Sequence, residues 1–289
     1  MKLFCFGFGQ VAQSFVDHLL NCNVDLKLTT TSRKNTSDLN FKNLKYFNYE
    51  FNENDFDKNL TNPLQESDHI LISVPPINGK DMFIERLVKN NLNLQNLKWL
   101  TYLSSTSVYG NHDGAWVNED STTNPQTLAG KNRLNVEKDW LSIGTKNSLP
   151  VQIFRLSGIY SDRYNAITRL RNDQKFVVEK KNHFFSRIHV EDIANILLKS
   201  LTNFKSNEIY NISDDKPASS QEVMSYAAKI LKTDLPKTID EQDIKSEMLK
   251  NFYKDSKKVS NQKMKKFFSY NLKFPTYIEG LNDISNNLT

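Results

Sequence analysis

The sequence predicts an α/β fold, with a doubly wound parallel sheet and a smaller C-terminal lobe. Short apolar segments alternate with amphipathic helical patterns over the first 156 residues, which is the order of a parallel sheet. The strand-like segments are largely apolar, as in strands buried on both faces. After residue 156 the alternation becomes irregular. We therefore expect residues 1–155 to form the sheet domain, with 184–212 returning to it, and 156–289 to form the lobe.

The elements follow in order from the spacing of apolar residues. A strand is predicted over 2–6 and a helix over 10–21, where four apolar residues share one face: Val11, Phe15, Leu19 and Leu20. Further strands are predicted at 25–30, 44–47, 69–74, 99–104 and 151–156. Further helices are predicted at 79–91, 128–143, 190–201 and 220–232. Residues 110–126 are rich in Asn, Asp, Gly, Thr and Ser and are predicted to form a loop.

The composition is that of a chain able to bury a core, with 38% hydrophobic and 25% charged residues. The net charge of +5 suits an anionic small ligand. No run of Lys or Arg is longer than two residues, so we do not expect nucleic-acid binding. The positive charges are interpreted mainly as a solvated surface.

The cysteines and the N-terminus indicate a cytoplasmic protein. Cys5 and Cys22 are isolated, as is common in a reducing compartment, and their spacing predicts no metal site. The apolar N-terminal segment is interrupted at once by Gly7 and Gly9, and no apolar stretch of about 20 residues follows. We therefore expect no membrane partner.

A glycine-containing turn lies between the first strand and the first helix, with the pattern Gly7-x-Gly9-x-x-Ala12. The first glycine allows a tight turn, the second lets the backbone approach a pyrophosphate, and the small Ala12 lets helix and strand pack closely. The helix N-terminus offers free N–H groups to the phosphates. The pattern predicts a Rossmann-type dinucleotide site, with Gln10 and Val11 also in contact with the cofactor.

The end of the second strand bears on the choice of dinucleotide. NAD sites usually place Asp or Glu about 20 residues after the glycine turn, where the carboxylate holds the ribose 2′-hydroxyl. This chain has Thr30-Thr31-Ser32-Arg33 instead, and Ser32 and Arg33 can bind a 2′-phosphate. NADP(H) is favoured and NAD(H) stays open, because Arg33 can also be an ordinary solvated loop residue.

Four later segments share a pattern with a known family. They are LSSTSVYG at 103–110, FRLSGIY at 154–160, RIHVEDIA at 187–194 and IYNI at 209–212. Together they resemble the extended short-chain dehydrogenase/reductases, the NAD-dependent epimerase/dehydratase group. The resemblance extends over nearly the whole chain. It implies a nicotinamide dinucleotide and a small-molecule substrate, with the smaller lobe on the substrate side.

The resemblance also implies a catalytic Ser or Thr, a Tyr and a Lys. Ser105 matches the Ser/Thr position. Matching Glu137 to the family's Glu places the Tyr position at Ala129 and the Lys position at Arg133. Alanine cannot transfer a proton, whereas Arg133 stays charged and can hold ribose hydroxyls. The standard proton relay of the family is therefore absent from the sequence.

The loop after the Ser105 strand offers candidate replacements for the missing Tyr. Tyr109 is the candidate for catalysis, with a structural or substrate-contacting role as the alternative. His112 and Arg187 are candidate substrate contacts, although His112 can also be an ordinary loop residue. The end of the fourth strand, Ser73-Val74-Pro75, is expected beside the adenosine or ribose of the cofactor, and Ser104 at its nicotinamide end.

These features favour an NADP(H)-binding oxidoreductase or epimerase-like protein with altered acid/base residues. Its substrate would be small and polar, with a nucleotide sugar as one candidate. The alternative is a noncatalytic NADP(H)-binding sensor or scaffold, and a nucleic-acid or protein-interaction module on the same core is a third class. The family resemblance makes a homodimer plausible.

Overall fold

The computed structural model describes residues 1–33, 39–51, 58–89, 92–172, 174 and 176–287. Its strands, numbered in chain order, are β1 Lys2–Phe6, β2 Lys27–Ser32, β3 Leu39–Phe41, β4 Leu44–Glu50, β5 His69–Ile72, β6 Trp99–Ser105, β7 Trp116–Val117, β8 Val151–Leu156, β9 Gly158–Tyr160, β10 Phe176–Glu179, β11 Arg187–His189, β12 Glu208–Ile212, β13 Lys237–Asp240 and β14 Lys258–Val259.

The helices follow the same numbering. They are α1 Gln10–Asn21, α2 Thr61–Glu66, α3 Met82–Lys89, α4 Leu128–Lys146, α5 Ala166–Arg171, α6 Val190–Ser200, α7 Ser220–Leu231, α8 Glu247–Tyr253, α9 Gln262–Phe268 and α10 Tyr277–Asn286. The last two residues of the helix predicted at 79–91 lie outside the described residues. No helix in the described part of the chain combines the length and the apolar character needed to cross a membrane.

Eight of the described strands form one sheet, in the order β12-β8-β6-β5-β1-β2-β4-β3. β1 pairs in parallel with β2 on one side and with β5 on the other, whereas β3 is antiparallel to β4. The strand order therefore reverses beside β1, as in a doubly wound sheet, and the glycine turn directly follows that strand. The predicted α/β, Rossmann-type fold class is confirmed.

The described chain divides into two compact units. The first unit comprises Met1–Ser104, Lys131–Arg155 and Ile193–Ile209. The second unit comprises Ser105–Gly130, Leu156–Asp192 and the chain from Tyr210 onward. The boundary predicted at residue 155 coincides with one of the points where the chain passes between the units, and the domain assignment itself stays a prediction.

The first unit is built on a core of fully buried aromatic and aliphatic side chains, among them Phe4, Phe6, Ile70, Tyr102 and Trp140. These residues come from β1, β5, β6 and α4, because apolar strands of a parallel sheet bury both faces against helices. The Trp140 indole N–H is satisfied within this core: it donates to Asp81 Oδ2 at 3.0 Å.

The second unit has its own core, in which α10 packs closely on β9. A side chain at Gly280 would place its Cβ 2.2 Å from the Tyr160 hydroxyl oxygen, so only glycine allows this approach. α10 begins with a capping box formed by Thr276 and Glu279, and α7 begins with another. The unit's small two-stranded pairings, β9–β11, β10–β13 and β7–β14, are all parallel.

Candidate functional site

Gly7 forms a turn that requires glycine. Its φ is +88°, and a Cβ would lie 2.7 Å from Val74 Cγ2 and 2.8 Å from Ser73 Oγ. The Gly7 N–H donates to Thr31 Oγ1 at 2.9 Å, and the Ser73 hydroxyl donates to the Gly7 carbonyl at 3.0 Å. Ser73 and Val74, which follow β5 and were predicted to lie beside the cofactor, thus contact the turn. Pro75 is exposed next to them.

Gly9 leaves an open cradle at the start of α1. It is the N-cap, with φ −82° and no side-chain hydrogen bond, and a Cβ there would meet nothing within 4 Å. Val11 and Ala12 are buried, and the small Ala12 side chain lets the helix pack closely on the strand. The open space at Gly9 therefore lies beside the positive end of the α1 dipole. This arrangement fits the pyrophosphate of a dinucleotide.

The end of β2 carries hydroxyl groups and a cation. Asn48 of β4 accepts a hydrogen bond from Thr30 and donates one to Ser32 Oγ, each at 2.9 Å. Arg33, the next residue, is exposed. Residues 29–33 contain no carboxylate that would repel a 2′-phosphate. The structure thus places Ser32 and Arg33 together at the strand end where the sequence predicts them.

Ser104 takes part in a buried polar cluster of the first unit. Its hydroxyl donates to Glu137 Oε1 at 2.5 Å, and Arg155 Nη2 lies 2.8 Å from Glu137 Oε2. The side chains of Glu137 and Arg155 are almost completely buried. This placement ties β6, α4 and β8 together. It favours a supporting role for Ser104 over the cofactor contact that the sequence predicts.

Arg133, which the sequence matches to the family's Lys position, lies on α4 in the first unit and is half-buried. Its Nη1 donates to the Leu103 carbonyl at 3.0 Å, near the end of β6. The guanidinium is held at the carboxyl end of a parallel strand, which is the edge where ligands bind in such sheets. Arg133 is thus placed to bind an anion or a hydroxyl.

The second unit contains a large cavity of about 1090 Å³, which we call the second-unit cavity. Ser105, Ser107 and Thr127 provide hydroxyls on its wall, and the Ser105 hydroxyl accepts a hydrogen bond from Ser107 N. Ala129 lies on the same wall and is exposed. Ser105 and Ala129, which the sequence matches to the family's Ser/Thr and Tyr positions, therefore line one cavity, and the Ala129 side chain has no proton to donate.

The charged groups on this wall are mostly cations. Arg163, Arg169, Arg187 and Lys257 line the cavity with one carboxylate, that of Asp255, among the described lining residues. The Arg187 guanidinium is anchored by donating to the Ala218 and Phe185 carbonyls at 2.8 and 3.0 Å. Burial lowers the pKa of Arg187, and the nearby Asp214 carboxylate opposes that shift. An anionic ligand is favoured at this end of the cavity.

Aromatic side chains cover much of the remaining wall. Phe185 and Phe252 stack with their ring centroids 4.1 Å apart, and half of the Phe252 surface stays exposed. Tyr164 and Leu128 also line the cavity and are exposed. Such apolar surface beside convergent polar groups is typical of a small-molecule site.

Two predicted loop residues lie outside this wall. Tyr109 is fully buried, and its hydroxyl donates to Asn211 Oδ1 at 2.8 Å. His112 Nε2 lies 3.1 Å from the Thr122 carbonyl. Neither Tyr109 nor His112 lines the second-unit cavity. This placement favours the structural role that the sequence left open for Tyr109. Conversely, the sequence patterns did not indicate Asp255 or Lys257, which come from the loop between α8 and β14.

Asp214 is a buried carboxyl group with an unusual environment. The residue is 1% exposed, and neither carboxyl oxygen has a hydrogen-bond partner within the described residues. Burial raises the pKa of Asp214 from 3.8 to about 8, although the charge of Arg187 opposes the shift. The fold therefore favours the protonated form of Asp214. The contribution of this protonated group to the free energy of unfolding is lost as the pH rises from 3.8 towards 8.

Asp214→Asn is expected to reduce the pH dependence of stability. Between pH 4 and pH 8 the free energy of unfolding of the wild type should fall relative to the variant by at least about 1 kcal/mol, because the uncharged amide carries no ionisation penalty. Urea unfolding at several pH values measures this difference. Glu247→Gln is the control, since that carboxylate is exposed and paired with Lys250. Parallel pH profiles for wild type and Asp214→Asn would contradict the expectation.

Among the residues that the structure describes, no group of three or more His, Cys, Asp or Glu side chains is arranged to hold a metal ion. The features that remain are an open glycine cradle at the switch point of a Rossmann-type sheet and, in the other unit, a cavity lined by arginines, hydroxyls and aromatic side chains. They define a Rossmann-type α/β protein with a glycine turn before its first helix and a large cavity in its second unit.

Comparison with protein families gives a match over part of the chain. Residues 83–213 match the model of the NAD dependent epimerase/dehydratase family. The resemblance that the sequence motifs predict is therefore confirmed. A comparison with curated proteins found no match.

Solved structures give matches over the whole chain. A functionally unknown conserved protein from Silicibacter pomeroyi DSS is 29% identical, with a TM-score of 0.86 and coverage of 99% of this chain and 98% of that one. A dTDP-glucose 4,6-dehydratase from Bacillus anthracis str. Ames, in complex with NAD, is 18% identical, with a TM-score of 0.77 and coverage of 98% and 94%. A UDP-glucuronic acid 4-epimerase from Bacillus cereus, in complex with UDP-glucuronic acid and NAD, is 17% identical, with a TM-score of 0.77 and full coverage of both chains. The last two likenesses are evidence for the fold.

Proposed function

We propose that the protein binds NADP(H) and acts as an oxidoreductase or epimerase-like enzyme on a small polar substrate of the nucleotide-sugar class. The observation that carries the proposal is the open space at Gly9, the N-cap of α1, because the N-terminus of a helix favours a phosphate. The two similar enzymes named above bind NAD in their structures, which supports a nicotinamide dinucleotide here. When bound, such a cofactor supplies a hydride acceptor or donor.

Two groups of first-unit residues would hold the cofactor. Gly7, Gly9 and the first turn of α1 would bind the pyrophosphate. Ser32 and Arg33 would bind the 2′-phosphate that distinguishes NADP(H) from NAD(H), because residues 29–33 at the end of β2 contain no carboxylate. Arg133 would hold ribose hydroxyls. The preference for NADP(H) is our proposal, whereas the similar structures contain NAD.

The substrate would occupy the second-unit cavity. The three arginines on its wall suit a diphosphate, and the exposed aromatic surface suits a planar base. Ser105 would position the reacting hydroxyl, as the resemblance implies. Arg187 is the better of the two predicted substrate contacts, because it lines the cavity and His112 does not.

A specific observation favours a second candidate function, a noncatalytic NADP(H)-binding sensor or scaffold. Ala129, which we match to the family's proton-transferring Tyr by sequence alone, is exposed on the cavity wall. The candidate replacement, Tyr109, has its hydroxyl buried and bonded to Asn211. Binding of NADPH without hydride transfer to any nucleotide-sugar substrate would identify this second function.

Arg33→Ala is expected to weaken NADPH binding by about tenfold or more and to leave NADH binding unchanged, because a charge-assisted bond to the 2′-phosphate is lost. Calorimetric titration with NADPH, NADP, NADH and NAD measures the four affinities. Arg171→Ala, which removes another exposed arginine at the end of α5, is the control. Equal loss for NADPH and NADH would contradict a 2′-phosphate contact, and no wild-type binding of any dinucleotide would contradict the proposed function.

A further inference from the structure

Asp255 and Lys257 form an ion pair in the wall of the second-unit cavity. Both residues are more than nine-tenths buried, and both line the cavity. Lys257 Nζ lies 3.5 Å from Asp255 Oδ2 and donates to the Gly110 carbonyl at 3.0 Å. The pair belongs to the short connection between α8 and β14.

The pair leaves hydrogen-bonding capacity unused. Asp255 Oδ1 is buried and has no hydrogen-bond partner within the described residues. A lysine ammonium has three hydrogens, and the described residues accept two of them here. A buried charge that lacks partners is costly, so a polar group from a ligand would be stabilised at this place.

The charges around the cavity determine which chemistry fits. Asp255 would repel a phosphate, whereas the three arginines on the wall attract one. A neutral hydroxyl group suits the pair, since it can donate to the Asp255 carboxylate while it accepts from Lys257 Nζ. The ligand would therefore have an anionic part and a hydroxyl-bearing part, held by different side chains.

We infer that Asp255 and Lys257 bind a sugar hydroxyl of the substrate and determine its specificity, with phosphate recognition left to the arginines. The inference rests on the proposed function, because it assigns residues to the same cavity. Neither residue belongs to the sequence motifs that carry the family resemblance. The pair would distinguish a nucleotide sugar from the bare nucleoside diphosphate.

The test compares each nucleotide sugar with its own nucleoside diphosphate. Calorimetric titrations use UDP-glucose against UDP, and dTDP-glucose against dTDP, on the wild type and on Asp255→Asn and Lys257→Met. We expect the wild type to prefer the sugar nucleotide. Asp255→Asn should weaken that ligand about tenfold and leave the nucleoside diphosphate unchanged, because only a hydroxyl contact with a charged group is lost.

Two surface variants control for unrelated loss of charge. Asp215→Asn and Lys265→Met break an ion pair of the same kind that does not line this cavity, and they should leave all affinities unchanged. Melting temperatures identify any variant that fails to fold. If Lys257→Met fails to fold, the near-isosteric Asp255→Asn still tests the inference. Unchanged or equally weakened binding of both ligands in Asp255→Asn would overturn the inference alone. Absence of wild-type binding to every nucleotide tested would overturn the proposed substrate class and the inference with it.

Discussion

Gly9→Val is expected to abolish dinucleotide binding, by about 100-fold or more, while the protein stays folded. A Cβ at Gly9 meets nothing within 4 Å in the free protein, and its φ of −82° suits any residue. The valine side chain would instead occupy the space in which a pyrophosphate approaches the first turn of α1. The variant therefore separates ligand binding from stability. Calorimetric titration with NADPH and thermal unfolding measure the two quantities.

Gly7 provides the matched comparison for this substitution. Gly7→Ala introduces a Cβ at φ +88° within 2.8 Å of Val74 and Ser73, so it should lower the melting temperature, whereas Gly9→Val should not. NADPH binding by Gly9→Val at the wild-type affinity would show that the dinucleotide does not use this cradle. Unfolding of Gly9→Val would show that the open space has a structural role.

The glycine turn was predictable because its determinants are local. Gly7, Gly9 and Ala12 lie within six residues, and strand, turn and helix each have a short-range pattern. The predicted helix over 10–21 agrees with α1, and the first strand agrees with β1. The second strand was predicted at 25–30 and lies at 27–32, because Ser32 pairs with β4, a contact that local propensity does not contain.

The cavity was only partly predictable, because its wall is assembled from distant segments. Ser105 and the Ala129 position could be found, since family motifs mark them. Lys257 reaches the Gly110 carbonyl from 147 residues away, and no spacing in the sequence announces that contact. The Tyr109 hydroxyl likewise donates to Asn211, 102 residues later. The burial of Tyr109 could therefore not be inferred from the loop that follows it in the sequence.

Arg155→Met is expected to lower the free energy of unfolding by about 3–5 kcal/mol, because it leaves the Glu137 carboxylate buried without its cation. The side chains of Arg155 and Glu137 are 4% and 2% exposed, and Arg155 Nη2 lies 2.8 Å from Glu137 Oε2. Urea unfolding measures the loss. Lys250→Met, which breaks the exposed pair with Glu247, is the control and should change stability little.

The double variant Arg155→Met/Glu137→Met distinguishes the cost of an unpaired charge from the cost of lost packing. With both charges removed, no buried ion remains, and apolar side chains of similar length fill the space. We therefore expect the double variant to be more stable than Arg155→Met alone, although Ser104 then loses the carboxylate to which it donates. If the stability loss of the double variant equals the sum of the losses of Arg155→Met and Glu137→Met, the pair contributes through packing. The link that Glu137 makes between Arg155 and Ser104 would then need another explanation than ion pairing.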